Sequence, residues 1–133
     1  MHVNFAAVFV ASLVHMLVGG LWYSPLLFGR TWMVLVGIDK EDFDEGRAMK
    51  GYGITFVCGL VQAYVLSWLA YATGADTVMA GLRLGGWVAL GIVAVAMVPK
   101  YFFSGRPRRL LLIDAGESTL FIMIATVIVV VWR

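Results

Sequence analysis

The chain has 133 residues, 62% of them hydrophobic and 14% charged, with a net charge of +2. A soluble domain averages about 45–50% apolar and about 25% charged residues, so composition alone places the chain among membrane proteins. The charge is too small to argue for a nucleic-acid partner, the single cysteine, Cys58, excludes an internal disulfide and any paired-cysteine metal motif, and the length leaves room for one domain and no separate soluble catalytic module.

A crossing helix needs about 20 mostly apolar residues. The first such run is 3–23, closed by Trp22-Tyr23-Ser24-Pro25. It is expected to stay in the protein: it has no basic start, its apolar run is too long for a signal peptide, and no small-residue cleavage pattern follows. Pro25 lacks an amide hydrogen and disfavours helix at Ser24. Residues 26–38 are apolar but too short to cross, and an interfacial helix or re-entrant segment is expected there. Residues 39–50 carry five acids and three bases and are expected to form a solvated loop or short helix.

The second span is 52–71. Thr73-Gly74-Ala75-Asp76 makes a turn after it, and Asp76 or Thr77 is placed to cap the next helix. The third span is 79–103, with an interruption expected near Pro99-Lys100. Ser104-Gly105-Arg106-Pro107 forms the next turn, and the fourth span is 110–132, with a β-branched second half that reads as lipid-facing. The expected fold is all-α: a polytopic membrane protein with four transmembrane helices in two hairpins, a short interfacial helix after the first span, and a single domain over 1–133.

Orientation follows from basic residues. Eight of the ten Lys and Arg lie in the first and third connections: Arg30, Lys40, Arg47, Lys50, Lys100, Arg106, Arg108 and Arg109. Arg83 and Arg133 remain for the other side. The charged loops are therefore expected in the cytoplasm and both termini outside. Trp22, Tyr23, Trp32 and Tyr101 mark the inner interface, and Trp68, Tyr71 and Trp132 the outer one. Phe28-Gly29-Arg30 resembles Ser104-Gly105-Arg106, which admits a duplicated hairpin.

Small and polar residues form stripes that should face other helices. On span one these are Ser12, His15, Gly19 and Trp22; on span two Thr55, Gly59, Gln62, Ala63 and Ser67. Gly81, Gly85 and Ala89 form a small-residue ridge on span three that allows close backbone approach, within the bundle or to a second copy.

Ionisable residues inside a span are rare and costly. Asp114 and Glu117 are three apart and share a face of span four. A rise of 1.5 Å per residue puts Asp114 about 6 Å and Glu117 about 10 Å beyond Leu110, His15 about 12 Å from Tyr23, and Gln62 about 15 Å from Tyr52. Glu117, His15 and Gln62 thus reach similar depths from three spans. Convergent, they form a polar core with a titratable pair, able to bind a cation or relay a proton; a satisfied hydrogen-bond network that fixes helix register is the competing reading. Lys100 lies at a depth comparable to Asp114, which admits an ion pair between them; a lysine that snorkels to the interface is the competing reading. One core histidine with two carboxylates makes no zinc site, and no Ser-His-Asp spacing, phosphate loop or H-E-x-x-H motif is present. No cofactor, metal or enzymatic activity is expected.

The run Trp22-Tyr23-Ser24-Pro25-Leu26-Leu27-Phe28-Gly29, with Trp32 after it, resembles the end of the first span in a family of small bacterial membrane proteins, domain of unknown function 1761. Ser104-Gly105-Arg106-Pro107 and Leu111-Leu112-Ile113-Asp114-Ala115-Gly116 continue the resemblance over nearly the whole chain. It implies four helical spans in the bacterial inner membrane and no known activity. By this match Asp114 belongs to a family-like motif, whereas His15 and Glu117 do not. It directs attention to an interface clasp in which Asp114 accepts from Tyr23, Ser24, Arg30 or Arg106.

The leading functional expectation is a homo-oligomeric channel or carrier for protons or a small cation, with Glu117, Asp114, His15 and Gln62 on its pathway. The alternative is a non-catalytic accessory or assembly subunit of a larger membrane complex.

Overall fold

The computed structural model describes residues 2–133. Its helices are α1 (Phe5–Trp22), α2 (Gly29–Val36), α3 (Glu45–Ala72), α4 (Val78–Phe103) and α5 (Arg108–Val131), with a short 3-10 turn, Lys40–Asp42, before α3. The all-α expectation holds: α1, α3, α4 and α5 are each long and apolar enough to cross a membrane.

Local chemistry fixes the helix ends. A helix start leaves amide hydrogens without intrahelical acceptors. Asn4 Oδ1 takes those of Ala6 and Ala7 at 3.0 and 3.3 Å. Asp44 takes that of Arg47, and Thr77 rather than Asp76 takes that of Ala80 at 3.2 Å. Gly74, at φ +68°, adopts the left-handed conformation that closes α3.

Two elements differ from the sequence expectation. The Asp44 cap lets α3 start at Glu45, so Arg47 and Lys50 sit on the long helix itself rather than in a separate loop or short helix before it. Helix α4 runs through Pro99 without a break, and its irregularity is a π-helical turn at Ala89–Ala94. The Gly29 and Gly105 segments also differ: Gly29 opens a helix, whereas Gly105 is a left-handed turn residue at φ +66°. The sequence echo between them is not a shared conformation.

The bundle is two hairpins, α1 with α3 and α4 with α5. Helix α5 is its axis, packing on α1, α3 and α4, while α4 meets α5 along its length and barely touches α3. Accordingly 44% of the apolar window of α5 is buried, against 17–22% for the other three. Its second half, expected to face lipid, is instead core: Phe121, Ile122, Ala125, Val129 and Val130 are buried. On α1 the faces separate cleanly: Phe5, Phe9, Leu13, Leu17 and Leu21 form one exposed row at steps of four, and Ala7, Val8, Ala11 and Ser12 turn inward.

Small residues set how closely the helices approach. A Cβ on Gly59 would lie 2.9 Å from Ser12 Oγ and 3.2 Å from Ser12 Cα, so α3 and α1 nearly touch there. Ser12 uses the proximity, donating to the Phe56 carbonyl at 2.6 Å. The ridge of Gly81, Gly85 and Ala89 is buried against α5: a Cβ on Gly85 would meet Met123 Cα at 3.0 Å, and one on Gly81 would meet Val127 Cα at 3.3 Å. The ridge thus serves the bundle interior, not a second copy.

Candidate functional site

The ends of α1, α4 and the start of α5 meet at the charged-loop end around Asp114. Its Oδ1 accepts from the Tyr23 hydroxyl at 2.7 Å and Trp32 Nε1 at 3.1 Å; its Oδ2 accepts from the Tyr101 hydroxyl at 2.5 Å. The donors come from the turn after α1, from α2 and from α4, so one carboxylate joins four segments. The Arg106 guanidinium carbon stands 5.5 Å from the Tyr101 ring centroid, in cation–π range. Beside this clasp Trp22 Nε1 donates to the Ile113 carbonyl at 3.0 Å, and the Trp22 ring fills the space that a Cβ on Gly116 would take, 2.9 Å from Cζ2. Two of the three stretches that carry the sequence resemblance, Trp22–Gly29 and Leu111–Gly116, therefore dock on each other. The turn between α1 and α2 is held by its own backbone, Phe28 donating to the Trp22 carbonyl and Gly29 to that of Ser24, both at 3.0 Å; any Cβ at Gly29 would collide with the Tyr23 carbonyl.

Glu117, one turn further along α5, meets different surroundings. His15 Nε2 lies 3.4 Å from its Oε1, beyond the usual hydrogen-bond distance of about 2.7–3.2 Å. Ser118 Oγ stands 3.5 Å from Oε2. The His15 ring stacks flat on Phe121, centroids 3.7 Å apart at 9°, and its Nδ1 is buried without a hydrogen-bond partner. A hydrogen on Nδ1 would be stranded, so the least costly neutral tautomer carries it on Nε2, facing the carboxylate.

Both side chains border an open cavity of about 850 Å³ lined by α1, α2, the 3-10 turn, the start of α3 and Glu117 of α5. Glu117 and His15 lie at its floor, Met16, Met33 and Ile54 contribute apolar wall, and Arg30, Lys40, Arg47 and Lys50 line its charged end. Beyond the floor the interior is closed by Phe121, Ala11, Ala63 and Ile122, all at most 2% exposed.

The structure brings together His15 with Glu117, and Asp114 with Tyr23. It does not bring in Gln62, which is exposed: the inward face of α3 is Gly59, Ala63, Leu66 and Ala70, and Gln62 stands about 100° from Ala63 around the helix. Lys100 is likewise exposed and makes no ion pair with Asp114, because the neighbouring Tyr101 occupies the inward position. Ser24 donates to the Leu21 carbonyl at 2.6 Å rather than to Asp114. Arg30 lines the cavity and Arg106 lies over Tyr101, so neither reaches Asp114. Asp114 does not border the cavity. Sequence reasoning missed Trp32 and Tyr101 as its donors, although both were legible as aromatics with polar tips at its depth. No group of three or more metal-ligating side chains occurs among the described residues.

Four long apolar helices, with an ionisable pair between α1 and α5 in which Glu117 is buried and His15 half-buried, define an α-helical membrane protein. The chain belongs to the family described as "Protein of unknown function (DUF1761)", whose model matches residues 6–130. No curated protein and no solved structure matches it.

Proposed function

We propose that the protein is a proton-handling membrane carrier whose working centre is the His15–Glu117 pair. The observation that carries this is the contrast between the two carboxylates of α5. Asp114 is saturated by three donors, while Glu117 is loosely held and borders a cavity. A carboxylate with spare acceptor capacity beside an imidazole can take up and release a proton. Among the described residues no third metal-ligating side chain joins the pair, which favours the proton over a small cation as cargo. The closed interior beyond Phe121 favours a carrier that rearranges over an open channel. By the distribution of bases, the cavity faces the cytoplasm.

Purified protein in liposomes, read with an interior pH dye under an imposed potential, tests this reading. Proton flux is expected from the native chain, and at least about a tenfold loss in Glu117→Gln, whose side chain keeps the shape but cannot exchange a proton at this site. Absence of flux from the native protein over pH 5 to 8 would overturn the proposal and leave the accessory-subunit reading, for which the closed interior is the supporting observation.

A further inference from the structure

The cavity has a polarity gradient that a proton site alone does not require. Its four bases come from three separate segments: Arg30 from α2, Lys40 from the 3-10 turn, Arg47 and Lys50 from the first turns of α3. The same stretch holds five acids, Asp39, Glu41, Asp42, Asp44 and Glu45, and none of them lines the cavity. Among the described residues the only carboxylate–base pair within 4.0 Å is His15–Glu117, so none of the four bases is held in an ion pair. One turn on from Lys50 the lining of α3 becomes apolar at Ile54, one turn on from Arg30 that of α2 becomes apolar at Met33, and Met16 lines it beside His15, near the one acid, Glu117. The volume of about 850 Å³ falls within the range of about 300–1,000 Å³ typical of small-molecule sites.

We infer that this cavity binds an anionic amphiphile, a phospholipid carrying net negative charge on its phosphate head group, with the phosphate among Arg30, Lys40, Arg47 and Lys50 and acyl chain along Met16, Met33 and Ile54. The gradient fixes the orientation. Phosphate next to Glu117 would be repelled, whereas at the charged end it meets bases from three directions, each able to donate charge-assisted hydrogen bonds. A free phosphate would use the bases and leave the apolar wall wet; a zwitterionic lipid would use the wall but bring its own cation to the bases. The inference rests on the cavity being the working site proposed above, and gives that site its ligand class.

The test is native mass spectrometry of the detergent-solubilised full chain with equimolar dioleoyl phosphatidylglycerol and dioleoyl phosphatidylcholine. Retention of one phosphatidylglycerol in preference to phosphatidylcholine is expected. A basic residue near anionic lipid contributes about fivefold, so the Arg47→Gln, Lys50→Gln double variant should lower that preference about twenty-fivefold. Gly51→Phe, taken with helix content unchanged by circular dichroism, should exclude the lipid, since Gly51 lines the cavity and a Cβ there meets nothing within 4 Å. Arg108→Gln with Arg109→Gln removes two exposed bases that do not line the cavity, and should leave retention unchanged. Equal retention of the two lipids, an equal effect of the Arg108 and Arg109 pair, retention undiminished in Gly51→Phe, or displacement by glycerol phosphate at the lipid's own concentration would each overturn the inference. Binding is read without flux: lipid retained by a chain that passes no protons sinks the proton reading alone, and flux without lipid preference sinks this one alone.

Discussion

Two carboxylates one turn apart on α5 show how far surroundings decide what a side chain does. Asp114 has a donor on each oxygen and a second on Oδ1, and a net contribution of about 1.5–3 kcal/mol attaches to a hydrogen bond made to a charged group. Replacing it with Ala would leave Tyr23, Trp32 and Tyr101 as donors without their acceptor, and should cost more stability than Asn, which keeps one carbonyl oxygen. The expected order of thermal midpoints in detergent is native, then Asn, then Ala, with Asn costing about 1–3 kcal/mol. Lys100→Met should move the midpoint by no more than about 0.5 kcal/mol, because that side chain is exposed and unpaired. A large loss in Lys100→Met would restore the ion pair that depth alone suggests. Depth along a helix was legible in the sequence, and it correctly matched His15 to Glu117. Azimuth was not: one residue turns the side chain by about 100°, which separates Lys100 from Tyr101 and Gln62 from Ala63.

At the scale of whole helices, hydropathy located the four long elements because a spanning run is its own signal. It did not reveal which faces look inward. Lipid tails are as apolar as Leu, so burial between helices leaves no hydrophobic contrast; the β-branched second half of α5 therefore read as lipid-facing although Ile122, Val129 and Val130 are core. Small residues are the better signal, since what they exclude is volume. The step from Gly85 to Gly86 tests this. A Cβ on Gly85 meets the Met123 backbone at 3.0 Å, which cannot yield without moving α5, while one on Gly86 meets nothing within 4 Å. Gly85→Leu should cost about 1–3 kcal/mol as an overpacked contact, and Gly86→Ala should be neutral or slightly stabilising through its higher helix propensity. Thermal unfolding of the two variants followed by circular dichroism reads the difference. Equal effects would mean that α4 does not seat on α5 through this ridge.

The whole molecule is asymmetric along its axis. One end holds the cavity and the clasp. At the other, the guanidinium of Arg133 donates to the carbonyls of Ala70 and Ala75, tying the end of α5 to the turn after α3. Between the ends, Phe121, Ile122 and Ala125 fill the interior with at most 2% exposure. A cavity at one end of the bundle makes a sided prediction for thiol chemistry, and the lone Cys58, exposed on α3, can be replaced by Ala to give a clean background. In sealed vesicles of known orientation, a membrane-impermeant maleimide should label Gly51→Cys from the cytoplasmic side only, because that position borders the cavity at the end rich in bases. Asp76→Cys, exposed in the turn between α3 and α4, should label only from the opposite side. Ala125→Cys, fully buried, should label from neither. Labelling of both Gly51→Cys and Asp76→Cys from one side would refute the two-hairpin placement in the membrane. Labelling of Ala125→Cys would mean that water reaches past Phe121, and the proposed carrier would have to be redrawn as a channel.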